Sequence, residues 1–124
     1  MTTMLDRHDD VVRRFDEACR MGDIAELWGT MDADAIAVCD GGGLVPAAPG
    51  LVQGAQDVAE MVAVLLCGQP DAELTIESVN GRAGLAVRRA GRAFAVIGIG
   101  TADSKVSILW IVLNPAKLAG WHRG

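Results

Sequence analysis

The sequence predicts an α+β fold in which a curved antiparallel sheet wraps around N-terminal helices and forms a cone with an internal pocket. Apolar residues recur at helical spacing in the first half of the chain, whereas from Glu73 onward the pattern is extended and divided by short turn signals. The chain has 124 residues, enough to bury one core and too few for a second domain. We therefore expect a single domain over residues 1–124.

Three helices are predicted before the extended region. The first covers residues 7–21 and ends at Gly22, and the third covers residues 56–67 and ends at Gly68. Asp23 is the predicted N-cap of a short second helix between them. The apolar side of that second helix carries Ile24, Leu27 and Trp28.

Four strands are predicted after the helices. They cover residues 73–79, 84–89, 92–100 and 105–113. Short turn signals such as Asn80-Gly81 and Ala90-Gly91 separate them, so we expect antiparallel neighbours in a meander. Both faces of the last strand are apolar, although the helices of one chain would cover only one face of the sheet. A homodimer through the sheet is therefore expected.

The composition limits the partners and the location. The net charge of -5 argues against direct nucleic-acid binding, and no apolar run reaches the ~18 residues of a membrane helix. Apolar residues make up 51% of the chain, which indicates a partner surface or an enclosed cavity. The cysteines Cys19, Cys39 and Cys67 lack metal-ligand or redox spacing, so we expect reduced core residues in a cytoplasmic protein without metal or cofactor. The histidines His8 and His122 are expected to be solvated.

Asp40 is the strongest candidate for acid–base chemistry. It ends the apolar run of residues 35–38 and is followed by Gly41, Gly42 and Gly43, so a carboxylate stands at a strand end beside an unusual loop. A carboxylate at the edge of an apolar pocket is suited to proton transfer. The alternative is that it accepts hydrogen bonds from the glycine amides and shapes the loop.

Arg88 is the second candidate for a catalytic role. Arg88 and Arg89 are adjacent on a strand and must point to opposite faces, so one of them is expected to point inward. An inward arginine requires a carboxylate partner or an anionic group of a ligand. The alternative is a strand at the margin of the sheet, from which both side chains reach water.

Large apolar side chains are the candidate walls of the pocket. They are Phe15, Trp28, Met61, Leu65 and Trp110. Residues of this kind at periodic spacing are more often ordinary core, so both interpretations stay open. Asn80 is a candidate donor to a ligand carbonyl, with a simple turn as its alternative.

Three segments carry a resemblance to a known family. They are Asp40-Gly41-Gly42-Gly43, Val79-Asn80-Gly81-Arg82-Ala83-Gly84 and Asn114-Pro115-Ala116-Lys117-Leu118. Together with the order of elements they resemble the SnoaL-like branch of the nuclear-transport-factor-2-like superfamily. They look most similar to the C-terminal SnoaL-like domain of certain extracytoplasmic-function sigma factors. The resemblance covers nearly the whole chain and implies a cone-shaped, cystatin-like roll that encloses a small-molecule cavity.

The resemblance implies two classes of function. One is a cofactor-free cyclase, isomerase or dehydratase that acts on an apolar, polyketide-like metabolite by acid–base catalysis. The other is a non-catalytic module that binds a ligand or a protein and regulates it. The chain contains no tyrosine, which the oxyanion hole of ketosteroid isomerase uses, and no counterpart of the promoter-binding regions of the sigma factors. Whether the protein is an enzyme stays open.

The segment of residues 114–118 is also given a role by the resemblance. In the sigma-factor relatives this kind of segment contacts the rest of the protein, which implies a partner or dimer surface here. The alternative is a C-terminal anchor in which Leu118 and Trp121 pack back on the sheet.

Overall fold

The computed structural model describes residues 4–41, 50–67 and 71–122. The helices are α1 (Met4–Met21), α2 (Ile24–Gly29), α3 (Ala55–Val62) with a π-helical continuation (Ala63–Cys67), and α4 (Pro115–Leu118) with a 3-10 turn after it (Ala119–Trp121). The strands are β1 (Met31–Asp40), β2 (Leu51–Gln53), β3 (Ala72–Val79), β4 (Arg82–Arg89), β5 (Arg92–Ala102) and β6 (Lys105–Val112). The predicted α+β class is confirmed.

The junction between α1 and α2 follows directly from the sequence. Gly22 adopts a φ of 66° and donates its N–H to the carbonyl of Cys19, while Asp23 donates its N–H to Ala18, the pair of bonds that closes a helix with a left-handed glycine. The carboxylate of Asp23 then accepts the N–H of Glu26 at 3.1 Å and caps α2. The predicted boundary is confirmed, whereas Gly68, the predicted end of the third helix, lies outside the described residues.

The strands form one six-stranded, curved sheet that does not close, in the order β2-β1-β6-β5-β4-β3. β3 to β6 are antiparallel neighbours, as the turn signals predict, and Asn80-Gly81 and Ala90-Gly91 adopt positive φ in two-residue turns. β1, by contrast, pairs in parallel with β6, so the sheet is not wholly antiparallel. Irregularities in the register of three strand pairs help the sheet to bend.

We call the sheet face covered by α1, α2 and α3 the inner face and the opposite side the outer face. The main core lies on the inner face, where helix residues such as Phe15, Leu27 and Val58 pack against strand residues such as Leu85 and Ile97. Of the residues predicted to share the apolar side of α2, Leu27 is buried, whereas Ile24 and Trp28 are exposed.

A smaller apolar cluster lies on the outer face. Leu118 and Trp121 pack there against Ala86, Ala93 and Val96, so the C-terminal segment folds back on the sheet as the anchor alternative predicts. Asn114 caps α4 by accepting the N–H of Ala116 at 3.1 Å. Within the part of the chain that the structure describes, none of the helices combines the length and apolar character needed to cross a membrane.

Candidate ligand-binding site

A groove of about 800 Å³ lies at one end of the sheet. The last register pair between β5 and β6 joins Val96 to Val112, so residues 92–95 and the β4–β5 turn extend beyond the end of β6. The chain that follows β6 crosses this end toward the outer face. The groove is lined by Leu65, Asp71, Arg89, Ala90, Arg92, Ala93, Phe94, Leu113, Pro115, Leu118 and His122.

The floor of the groove is apolar. Leu113 and Leu118 are buried, and Leu65 and Phe94 are half-buried against the main core. Side chains of this kind contact a ligand without reorganisation, because the core behind them fixes their positions. The volume lies within the roughly 300–1,000 Å³ typical of small-molecule pockets.

Two arginines form one rim of the groove. Arg89 and Arg92 flank the Ala90-Gly91 turn and are direct register partners, so their side chains lie on the same face of the hairpin. Both are exposed, and among the described residues neither makes an ion pair. Asp71 is the carboxylate-bearing residue of the described lining. With His122 neutral, the described residues of the lining therefore carry a net positive charge.

His122 lies at the edge of the groove with its ring held in place. Its Nδ1 accepts the backbone N–H of Ala93 at 2.9 Å, which leaves Nε2 to carry the proton of the neutral ring. The residue is exposed, as predicted, whereas no sequence pattern indicates this fixed orientation.

Asp40 stands at the same end of the sheet, but its side chain belongs to the outer face. It pairs in register with Val112, and its Oδ2 lies 2.6 Å from Nζ of Lys117 in α4. It is not one of the residues that line the groove. Of the glycines after it, Gly41 is described, whereas Gly42 and Gly43 lie outside the described residues.

Arg88 also lies on the outer face, and it is buried. Its guanidinium donates to Oε2 of Glu77 at 2.6 Å, to Oγ1 of Thr75 at 2.9 Å and to the carbonyl of Trp121 at 2.8 Å. Thr75 donates its hydroxyl to the same Glu77 carboxylate. Of the two adjacent arginines, Arg89 and not Arg88 reaches the groove.

The structure does not gather the predicted pocket walls around one hollow. Leu65 lines the groove, whereas Phe15 is wholly inside the core and Met61 packs against the core beside Cys39. Trp110 is exposed on the outer face. Trp28 and Asn80 are exposed too, and the turn of Asn80 lies at the opposite end of the sheet.

A buried polar cluster occupies that opposite end. The prediction that His8 is solvated is wrong, because its ring is 2% exposed between α1 and the sheet. Nε2 donates to the carbonyl of Ala83 at 2.9 Å, while Nδ1 lies 3.1 Å from both Oγ1 of Thr101 and a guanidinium nitrogen of Arg82. Nδ1 therefore accepts, and the ring is neutral in this arrangement.

One thiol has a shifted acidity. Burial raises the pKa of Cys39, whose Sγ lies 3.7 Å from Sδ of Met61 on the inner face. Its character is therefore that of a core thiol and not of a nucleophile. Across residues 4–41, 50–67 and 71–122, the His, Cys, Asp and Glu side chains form no group of three or more that could hold a metal ion.

The groove also contains residues that are not among the candidates predicted from the sequence, namely Asp71, Arg92, Phe94, Leu113 and His122. The signal for the arginines was available, because a two-residue turn at Ala90-Gly91 makes its flanking residues direct partners. The apolar floor had no such signal, since it depends on how the chain after β6 returns to the hairpin.

Comparison with solved structures supports the assignment of the fold. A Mycobacterium tuberculosis extracytoplasmic function sigma factor, SigJ, is 26% identical with a TM-score of 0.65, and the match covers 92% of this chain and 44% of SigJ. A putative ketosteroid isomerase from Kribbella flavida DSM 17836 is 13% identical with a TM-score of 0.63, over 89% of this chain and 79% of that protein. This chain thus spans less than half the length of SigJ.

An LEH-like epoxide hydrolase of M. tuberculosis gives a TM-score of 0.60 at 10% identity, over 97% of this chain and 92% of the hydrolase. No family model matches the sequence, and no match was found among curated proteins. The fold is thus shared by an isomerase, a hydrolase and a sigma-factor domain. The chain has the NTF2-like fold of SnoaL-like proteins, and over most of its length it is similar to the C-terminal domain of an extracytoplasmic function sigma factor.

Proposed function

We propose that this protein is a SnoaL-like pocket protein that binds an apolar small molecule in the groove at the end of its sheet. The observation that carries the proposal is the groove itself, which combines about 800 Å³ of space with a floor of Leu65, Phe94, Leu113 and Leu118. A hollow of this size with fixed apolar walls and few polar groups is typical of small-molecule sites.

The geometry favours binding over acid–base turnover by the two predicted catalytic residues. Asp40 contacts Lys117 and Arg88 contacts Glu77, both on the outer face, and neither Asp40 nor Arg88 lines the groove. A general acid or base needs to reach the reacting atom within hydrogen-bond distance. A cofactor-free cyclase, isomerase or dehydratase is the second candidate, favoured by the fold shared with a putative ketosteroid isomerase and an epoxide hydrolase.

A regulatory role is compatible with the same groove. The likeness to SigJ covers 92% of this chain at 26% identity, which favours a binding module that responds to a ligand or a protein. The cytoplasmic location inferred from the cysteines remains part of the proposal.

The binding proposal is tested with a neutral fluorescent probe such as Nile red. We expect saturable binding to the wild type and at least tenfold weaker binding to Leu65→Glu, because a carboxylate in the floor must be desolvated when the probe binds. Val64→Glu is the matched control, since Val64 is the preceding residue, is 73% exposed and does not line the groove. Absence of saturable binding, or equal effects of the two substitutions in folded proteins, would refute the proposal.

We also propose that the outer face forms a homodimer. Leu51, Val38 and Trp110 are register neighbours across β2, β1 and β6, and they are 57%, 37% and 48% exposed. The indole of Trp110 lies over Gly98 and Gly100, where an added Cβ would meet its ring at 3.3 Å and 3.5 Å. The row formed by Leu51, Val38 and Trp110 is therefore apolar and nearly flat, which suits an interface in which the same surface of two copies meets.

Light scattering coupled to size-exclusion chromatography tests the dimer. We expect Trp110→Glu to raise the dimer dissociation constant by about 30-fold or more, the effect of losing one central hot-spot residue. Trp28→Glu is the control, because Trp28 is equally exposed, at 47%, on a helix that does not belong to the outer face. A wild type that is monomeric at high concentration rejects the dimer.

A further inference from the structure

We propose that the ligand of the groove is an amphipathic monocarboxylate, whose apolar body lies on the groove floor and whose carboxylate is held by Arg89 and Arg92. This inference rests on the proposed small-molecule function and names the chemical class of its ligand.

The hairpin places the two arginines close together. They are direct cross-strand partners on either side of a two-residue turn, which brings two like charges together. Like charges directly opposite one another destabilise a sheet. An anion between the two guanidinium groups converts that repulsion into two charge-assisted contacts.

Carboxylates of the chain leave the charge of this pair of arginines without an ion-pair partner. The chain has 16 acidic and 11 basic residues, so carboxylates are in excess. Among the described residues Arg89 and Arg92 nevertheless make no ion pair, and neither do exposed Arg7 and Arg14 on α1. What distinguishes Arg89 and Arg92 is that they lie directly opposite each other and both line the groove.

The described part of the lining is positively charged. Its two arginines and Asp71 give a net charge of one positive unit when His122 is neutral, and Nδ1 of His122 accepts the N–H of Ala93 in that state. A monoanion neutralises this lining, whereas a dianion leaves excess negative charge beside Asp71. The planar guanidinium also matches the two oxygens of a carboxylate.

Medium-chain fatty acids provide the probe. Displacement of Nile red by dodecanoate is compared with displacement by dodecanamide, which has the same chain and no charge. We expect the wild type to bind dodecanoate about tenfold more tightly, a modest value for charge-assisted contacts at an exposed rim. The preference should decrease as salt is added, because the rim is open to solvent.

The variant that decides the question is Arg89→Gln/Arg92→Gln. We expect it to lose the preference for the carboxylate while it still binds Nile red and dodecanamide. Arg7→Gln/Arg14→Gln removes the same charge from exposed positions on α1 outside the groove, and we expect it to keep the preference.

The outcomes separate the two proposals. Equal affinity for dodecanoate and dodecanamide, or an unchanged preference in Arg89→Gln/Arg92→Gln, overturns the proposal that the ligand is a carboxylate. If Nile red still binds in that case, the proposed pocket function stands. Loss of preference in both double variants also overturns the carboxylate proposal, because net charge alone then explains the effect. Failure of the wild type to bind any of the three compounds overturns both.

Discussion

Arg88→Met is expected to destabilise the fold without affecting the groove. The side chain of Arg88 is 5% exposed and that of Glu77 is 17% exposed, so the substitution removes the Arg88 cation from beside a largely buried carboxylate. Removing one member of a buried ion pair costs about 3–5 kcal/mol. It also removes the contact from Arg88 to the carbonyl of Trp121, which holds the C-terminal segment to the sheet.

For 124 residues this loss corresponds to a decrease in melting temperature of about 10–20 °C. Chemical denaturation followed by far-UV circular dichroism measures the free energy of unfolding. Arg89→Met is the control, because the same change at the exposed neighbour is expected to alter stability by no more than about 0.5 kcal/mol. Arg88→Met/Glu77→Leu should regain much of the loss, since it removes the buried carboxylate of Glu77 as well.

A loss below about 1 kcal/mol, the range of surface pairs, would refute the reasoning. Nile red binding is measured on the same variant well below its melting temperature. If the folded variant no longer binds the probe, Arg88 has a role in the site and the structural interpretation is wrong.

Four further predictions concern three single side chains. Asp40→Asn should leave probe binding unchanged and cost at most about 1 kcal/mol, because its contact with Lys117 is partly exposed; loss of binding in a folded variant would restore Asp40 to the site. Cys39 should react with iodoacetamide more slowly than free cysteine near neutral pH, as peptide mass spectrometry would measure, because burial raises its pKa and less thiolate is present. Because the pKa of Cys39 is raised in the folded state, its contribution to the free energy of unfolding is fully present below the ordinary thiol pKa and is lost as the pH rises through the raised value. Alkaline denaturation should therefore occur at a higher pH in Cys39→Ala than in the wild type. His8→Ala should cost about 2–3 kcal/mol in urea denaturation, because it opens a cavity and removes the acceptor of Arg82, whereas a cost within experimental error would place the ring in solvent.

The meander was predictable because its information is local. Alternation defines each strand, and the two-residue turns at Asn80-Gly81 and Ala90-Gly91 determine how consecutive strands pair. The partner of β1 was not predictable in the same way. Its pairing with β6 joins residues about seventy positions apart, such as Val38 and Trp110, and no turn signal connects them.

The burial of His8 was not predictable from the sequence for a different reason. A histidine in the first turns of an amphipathic helix resembles any polar residue there, and its periodicity gives no indication of a partner. What buries it is a set of groups from the far strands, the carbonyl of Ala83 and the hydroxyl of Thr101, which satisfy both ring nitrogens. Long-range polar partners of this kind decide whether a titratable side chain is solvated.

The two adjacent arginines could not be told apart from the sequence, and the fold determines the role of each. The pleat of a strand requires Arg88 and Arg89 to face opposite sides, but it does not indicate which of them faces the groove. That depends on the C-terminal segment, since Trp121 covers the outer face and gives Arg88 a carbonyl partner there. Because the outer face is covered there, Arg88 is buried and pairs with the carboxylate of Glu77, whereas Arg89 lies beside Arg92 at the open end of the groove. One pair of neighbouring residues thus divides into a structural cation and a cation available to a ligand.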